Sequence, residues 1–142
     1  SYGINASVKW VNDVYVNGKK ICGILIKNSF EGEYVKKSVI GIGVNLNNEI
    51  PSELSGVAVT AKDVINREID TDEFIDRLIE NLYKDYSMDE YRAKNTVLGK
   101  KIKVIEGEKT YFAEASGIAD NGNLILSDGR ILSYGEVSIV TR

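Results

Sequence analysis

Lys9 to Gly23 reads KWVNDVYVNGKKICG, and its pattern organises the first half of the chain. Val14 to Val16 leads into Asn17-Gly18, the strongest two-residue hairpin signal, because both residues tolerate positive φ. Past that turn the run KKICGILIK, ending at Lys27, is too continuously apolar for a one-sided strand. It predicts a central strand covered on both faces. Ser29 to Tyr34, with Gly32, reads as a turn, and Val35 to Asn45 (VKKSVIGIGVN) returns as a second long strand. Gly41 and Gly43 lie two residues apart on one face of that strand, which therefore carries no side chain there. Glycine weakens a strand and marks a close approach of backbone or ligand. Upstream, Val8 to Trp10 is short and extended.

The middle of the chain changes period. Thr60 followed by Asp63 resembles a capping box for a short helix near Ala61 to Asn66. Asp70 and Thr71 then precede a clearer helix, with Asp72 and Glu73 in its first turn suiting the helix dipole. Phe74, Ile75, Leu78, Ile79, Leu82, Tyr83 and Tyr86 form one wide apolar stripe, whose aromatics are expected in the core. Met88 to Lys94 adds a further helical turn. From Gly99 onward the pattern is strands again: Ile102 to Ile105, Thr110 to Ala119, Leu124 to Leu126, Ile131 to Tyr134 and Val137 to Val140. Tight turns at Gly107, Asn121-Gly122 and Asp128-Gly129 separate them, the pattern of a small SH3-like barrel. The expected fold class is α+β: a mixed β-sheet with packed helices over 1–96, then the barrel over 97–142.

With 142 residues the chain can bury roughly two-thirds of its unfolded surface. Hydrophobic content of 43% and charge of 27% are globular values. A net charge of −3 gives no general pull toward nucleic acid or anionic membrane. Cys22 is the only cysteine, so no disulfide forms within the chain, and a reducing, cytoplasmic compartment is expected. Its apolar neighbours mark it as a small core residue rather than a nucleophile. The chain has no histidine, which excludes Ser-His-Asp and Cys-His catalysis and histidine-ligated metals within it. No apolar run approaches membrane-spanning length.

What remains is chemistry done by lysine, aspartate and amides. Joining a carboxylate to a phosphoryl group brings two anions together. Fixed positive charge and hydrogen-bond donors lower that barrier without a proton-carrying histidine. Lys20 is the candidate cation. Strand alternation puts it with Cys22 and Ile24, opposite Ile21 and Gly23. Burying it asks for an anionic partner, whereas a snorkelling surface lysine needs none. Asn12-Asp13 reads equally as a turn cap or as a site in which Asp13 holds Mg²⁺ or orients an amine, with Asn12 and Lys9 meeting phosphate or ribose. The glycine strand ends in Asn45, an amide able to read a purine edge.

Taken together and in order, these features resemble biotin protein ligases. That family has the lysine-tryptophan strand, the Asn-Asp turn, a lysine before a small residue and glycine, the GxGxN strand and a C-terminal SH3-like domain. The resemblance implies ATP-dependent conversion of biotin to biotinyl-AMP and transfer to a lysine of a carboxylase's biotin carboxyl carrier domain. By motif, Lys20 matches the lysine that contacts the biotin carboxylate and the adenylate. Asp13 matches the acidic residue of metal binding or acceptor-lysine activation, with Mg²⁺ the implied ion. Gly23 matches a position by the biotin pocket, and Asn45 the asparagine near the adenine, with Gly43 beside it. Lys9 and Asn12 complete the nucleotide-binding signature. No DNA or membrane partner is implied, and a homodimer stays open.

The chain departs from the family in three places. Val11 stands where the family has proline, which loosens the turn constraint. Leu46 to Val59 holds no aromatic to fold over an adenylate. Nothing before Lys9 supplies the family's Gly-Arg-Gly-Arg-type loop, so the chain is expected to be part of something longer, carrying part of an active site and little activity alone. Two alternatives stand beside this reading: a lipoate–protein ligase, and a non-catalytic fragment or paralogue that binds nucleotide, biotin or a carrier domain. Trp10, the GIGVN strand and the barrel favour biotin.

Overall fold

The computed structural model describes residues 2–133 and 136–140. It has two compact units, one built from the residues up to Ala6 and Asn12–Lys84, the other from Ser7–Val11 and from Asp85 onward. Strand β1 (Ser7–Lys9) thus belongs to the second unit, although it precedes most of the first.

In the first unit, β2 (Asp13–Val16), β3 (Lys19–Glu31) and β4 (Tyr34–Val44) pair antiparallel in that order. Asn17 and Gly18 both have positive φ, 51° and 77°, so the β2–β3 turn forms as its two residues require. The second hairpin is longer than the sequence suggests. β3 runs on to Glu31, and only Gly32, at φ 63°, and Glu33 make the turn. A loop containing a 3-10 turn at Ser52–Leu54 leads to α1 (Ala61–Ile65) and α2 (Thr71–Leu82). Both helices begin as the capping pattern requires, Thr60 Oγ1 accepting from Asp63 N at 3.0 Å and Asp70 Oδ1 from Glu73 N at 3.0 Å. Asn66, in the left-handed region, ends α1.

The core of this unit is small: Val16, Ile21, Ala61 and Ile69 are buried, with Tyr2, Ile4 and Phe74 packed around them. Two expectations fail here. The KKICGILIK strand is not covered on both faces, since the adjacent Leu25 and Ile26 are 58% and 50% exposed. Nor does the α2 stripe form a core. Phe74 and Leu78 are half-buried, but Ile79, Leu82 and Tyr83 are exposed, and Tyr86 lies exposed past the helix end. Periodicity identifies an apolar face, but burial needs a partner surface, and among the described residues α2 meets one only around Phe74, against Tyr2.

The second unit is a five-stranded antiparallel sheet in the order β8-β7-β6-β5-β9 with α3 (Met88–Lys94) before it. Its strands are β5 (Lys101–Glu106), β6 (Lys109–Ile118), β7 (Leu124–Leu126), β8 (Ile131–Leu132) and β9 (Glu136–Ile139). The five strands fall where the sequence puts them. Tyr134, at the end of the fourth expected strand, is outside the described residues, and among those no ladder joins β8 to β9. Val97, Ile102, Val104, Ala115 and Leu124 are fully buried, and Trp10 joins them at 3% exposure. The two units together give an α+β chain.

Candidate functional site

The first unit places Lys20 on a bulge. β2 and β3 pair Val14 with Cys22 but Tyr15 with Lys20, so Ile21 is the extra residue. A bulge re-aims the side chain beside it, and Lys20 turns toward Gly23 instead of away from it. A Cβ on Gly23 would stand 3.2 Å from both Lys20 Cε and Nζ and 3.4 Å from Asp13 Oδ1. Glycine is thus what lets the Lys20–Asp13 ion pair, 2.7 Å long, lie over this point of the strand. Plain alternation, which assigns Lys20 and Gly23 to opposite faces, misses this.

The expected burial of Lys20 is also corrected. Its side chain is 44% exposed, and Asp13 beside it 30%, so water shares the pair. The backbone of Lys20 is fixed instead. Its N–H donates to Val57 O at 2.8 Å, and its carbonyl accepts from Val59 N at 3.0 Å, so residues 57–59 run along it as a short parallel partner. The Val-Ala-Val run hints at such a strand, yet its partner has no local signature.

The pair sits at the head of an open groove of about 490 Å³ lined by Asp13, Lys20, Gly23, Ile24, Leu25, Gly41, Ile42 and Gly43. Gly43 pairs with Gly23 and Gly41 with Leu25. A Cβ at Gly41 or Gly43 would meet only backbone oxygens, at 3.7 and 3.9 Å, so both positions would make ordinary van der Waals contact rather than a tight crossing. The groove combines an apolar, glycine-floored body with one cation and one anion at its end.

The other expected residues, Asn12, Asn45 and Lys9, are not among those that line it. Asn12 contributes its carbonyl, which accepts from Ile24 N at 3.0 Å and ties the Asn-Asp turn to β3. Asn45 follows β4; its N–H donates to Ile21 O at 2.9 Å and its carbonyl accepts from Ala61 N at 2.8 Å. Asn47, not singled out in the sequence, latches this loop: its side chain donates to Ile69 O at 2.7 Å and accepts from Ile69 N at 2.9 Å. Lys9 belongs to the second unit. Cys22 is half-buried, and burial raises its thiol above the ordinary value; the charge of Asp13 adds to this while Lys20 works against it. Among the described residues no three carboxylate, cysteine or histidine side chains gather as a metal-binding group.

Comparison with known proteins accords with this architecture. Residues 1–45 match the biotin/lipoate A/B protein ligase family, and residues 97–140 match the biotin protein ligase C-terminal domain. The chain is 31% identical over 137 residues to the bifunctional ligase/repressor BirA of Bacillus subtilis, covering 87% of this chain and 42% of that protein. It is also 31% identical over 134 residues to biotin–[acetyl-CoA-carboxylase] ligase of Paracoccus denitrificans, covering 84% of this chain and 56% of the relative. The solved structure of Aquifex aeolicus biotin protein ligase in complex with biotin and ATP superposes with a TM-score of 0.75 at 28% identity, covering 98% of this chain and 63% of that one. The first match places the chain in the biotin/lipoate A/B protein ligase class, and the second narrows the class. The chain belongs to the biotin protein ligase family. It spans about half the length of the curated relatives it matches.

Proposed function

We propose that the protein carrying this chain is an ATP-dependent biotin protein ligase. The carboxylate of biotin attacks the α-phosphate of ATP, giving biotinyl-AMP and pyrophosphate. The ε-amine of a lysine on a biotin carboxyl carrier domain then attacks the acyl carbon, forming the amide and releasing AMP. The observation that carries the reading is the Lys20–Asp13 pair, 2.7 Å long, held over Gly23 at the head of the glycine-floored groove. A bare strand face suits a flat, largely apolar ring system, and a single ammonium at its end suits the acid group of biotin.

In this reading Lys20 sits between substrate carboxylate and α-phosphate and offsets the charge that builds as they join. Engaging substrate draws Lys20 from Asp13, whose carboxylate then faces the incoming amine and takes its proton. Gly23 and Gly43 leave room for biotin, while Asn12 and Asn45 serve the nucleotide. Mg²⁺ does not fit a protein-built site here. Asp13 is the one carboxylate lining the groove and is already paired with Lys20, so no step is routed through the metal. Biotin rather than lipoate is supported by the match of 97–140 to the biotin ligase C-terminal domain. A division at 96/97 into catalytic and SH3-like parts, and a cytoplasmic home, belong to the same reading.

The test is biotin-dependent exchange of labelled pyrophosphate into ATP by the protein carrying this chain. Exchange with biotin, abolished by Lys20→Ala, is expected. Exchange with lipoate and not biotin would overturn the substrate.

A further inference from the structure

β4 ends at Val44, and the bend that follows begins with Asn45, the amide given to the nucleotide. Its backbone is tied to the rest of the first unit. Asn45 N–H donates to Ile21 O at 2.9 Å, and the Asn45 and Leu46 carbonyls accept from Ala61 N at 2.8 Å and Lys62 N at 2.9 Å. Ala61 and Lys62 open α1, where the first amides have no partner inside the helix. These ties run from backbone to backbone and do not depend on which side chains stand there.

Asn47 differs, because its side chain makes the next tie. Its Nδ2 donates to Ile69 O at 2.7 Å and its Oδ1 accepts from Ile69 N at 2.9 Å. Ile69 is 3% exposed and lies between α1 and α2, outside any helix or strand. Its N–H and carbonyl have no regular ladder to join, and one planar carboxamide supplies the acceptor and the donor they need. Aspartate would lack the donor, and an apolar side chain would offer neither group. The next residue carries the effect to the site: Asn48 Nδ2 donates to Asn45 Oδ1 at 3.5 Å. The bend is thus fastened by Asn47, and Asn48 on that bend meets the Asn45 side chain.

We propose that Asn47 is a positioning residue for the nucleotide. By fastening the bend to Ile69 it holds the Asn45 amide in place for a purine edge, without touching the purine itself. The latch stands on these contacts alone, while its effect on ATP rests on the ligase reading and on Asn45 as the nucleotide amide.

Steady-state kinetics of biotin-dependent pyrophosphate–ATP exchange by the protein carrying this chain test it. Asn47→Ala is expected to raise the KM for ATP about tenfold, the worth of one or two hydrogen bonds. The KM for biotin and kcat are expected to stay unchanged, as for a lost ground-state contact. Ile69→Val trims the same buried residue but leaves its backbone, and with it the latch, intact; both KM values should hold. Equal rises for ATP and biotin, no rise for ATP, or an ATP-specific rise of the same size in Ile69→Val would overturn the proposal by reducing Asn47 to packing. Amide hydrogen exchange on the same proteins keeps the two readings apart. In Asn47→Ala the Ala61 amide, bound to Asn45 O, is expected to exchange about fivefold faster. The Ile24 amide, bound to Asn12 O in the same unit, is expected not to change. A wild type without pyrophosphate exchange counts against the ligase and with it the effect on ATP. An unchanged Ala61 amide counts against the latch whatever the activity.

Discussion

The two units use their apolar residues in opposite ways. Among the described residues the second unit gathers ten buried apolar side chains into one core, whereas the larger first unit gathers four. Leu124 and Val104 are fully buried in one, while Leu25, Ile40 and Leu82 stand about half exposed in the other. The groove and its ion pair lie in the sparsely packed unit. Core packing and the candidate groove are thus separated along the chain, and the strand bearing Lys20 is held by backbone hydrogen bonds and a bulge more than by burial. A site built this way can leave its glycine face bare, because the fold does not depend on filling it.

Truncation of core residues is where the contrast is widest. Leu124→Ala is expected to cost about 2–5 kcal/mol and to melt the second unit in urea unfolding. The same change at Leu82 should stay within about 0.5 kcal/mol, as exposed positions do. Comparable losses at both would mean that α2 has a covered face in solution. Removing the Thr60 cap is intermediate: Thr60→Ala is expected to cost about 1 kcal/mol, read as a lower urea midpoint with an unchanged slope.

The glycines sharpen the contrast within the first unit. Gly43→Ala meets only backbone at 3.9 Å, so stability should barely change while biotin affinity falls as the new methyl enters the groove. Gly23→Ala instead pushes on the Lys20–Asp13 pair at 3.2 Å from Lys20. It should therefore weaken binding by displacing Lys20, visible as a longer Lys20–Asp13 distance. Equal behaviour of the two variants would erase the distinction between open floor and tight crossing.

The smallest effect concerns Cys22. Its thiol is raised by burial and by Asp13, so its folded value lies above the unfolded one. The stability linked to it is present below the ordinary thiol value of about 8.5 and is lost as pH rises through the folded value. Alkylation by iodoacetamide at pH 8 should be slower than for a free thiol. Asp13→Asn should speed it, and an unchanged rate would argue that Asp13 does not stand near the sulfur.

Much of this was legible in the sequence where the determinant is local. Asn17-Gly18, Thr60 and Asp70 act through a few neighbouring residues, and each forms the turn or cap it signals. Glycines 41 and 43 likewise line the groove, though Ile42 between them lines it too. What escaped depends on partners distant in the chain. A one-residue bulge at Ile21 reverses the face of Lys20, and nothing in KKIC announces it. Trp10 reads as part of a signature strand, yet its indole is fixed by Gly122, far downstream. The apolar periods of β3 and α2 are real, but a period cannot say whether a partner surface exists.

Calorimetric titration of biotin and ATP into the whole protein carrying this chain, as wild type and as its Lys20→Ala variant, tests the central claim most directly. Loss of a charge-assisted contact to the biotin carboxylate predicts affinity at least about tenfold weaker in the variant with the urea midpoint unchanged. Equal affinity in both proteins, or no biotin binding by the wild type, would contradict the assignment of Lys20 and its groove as the biotin site.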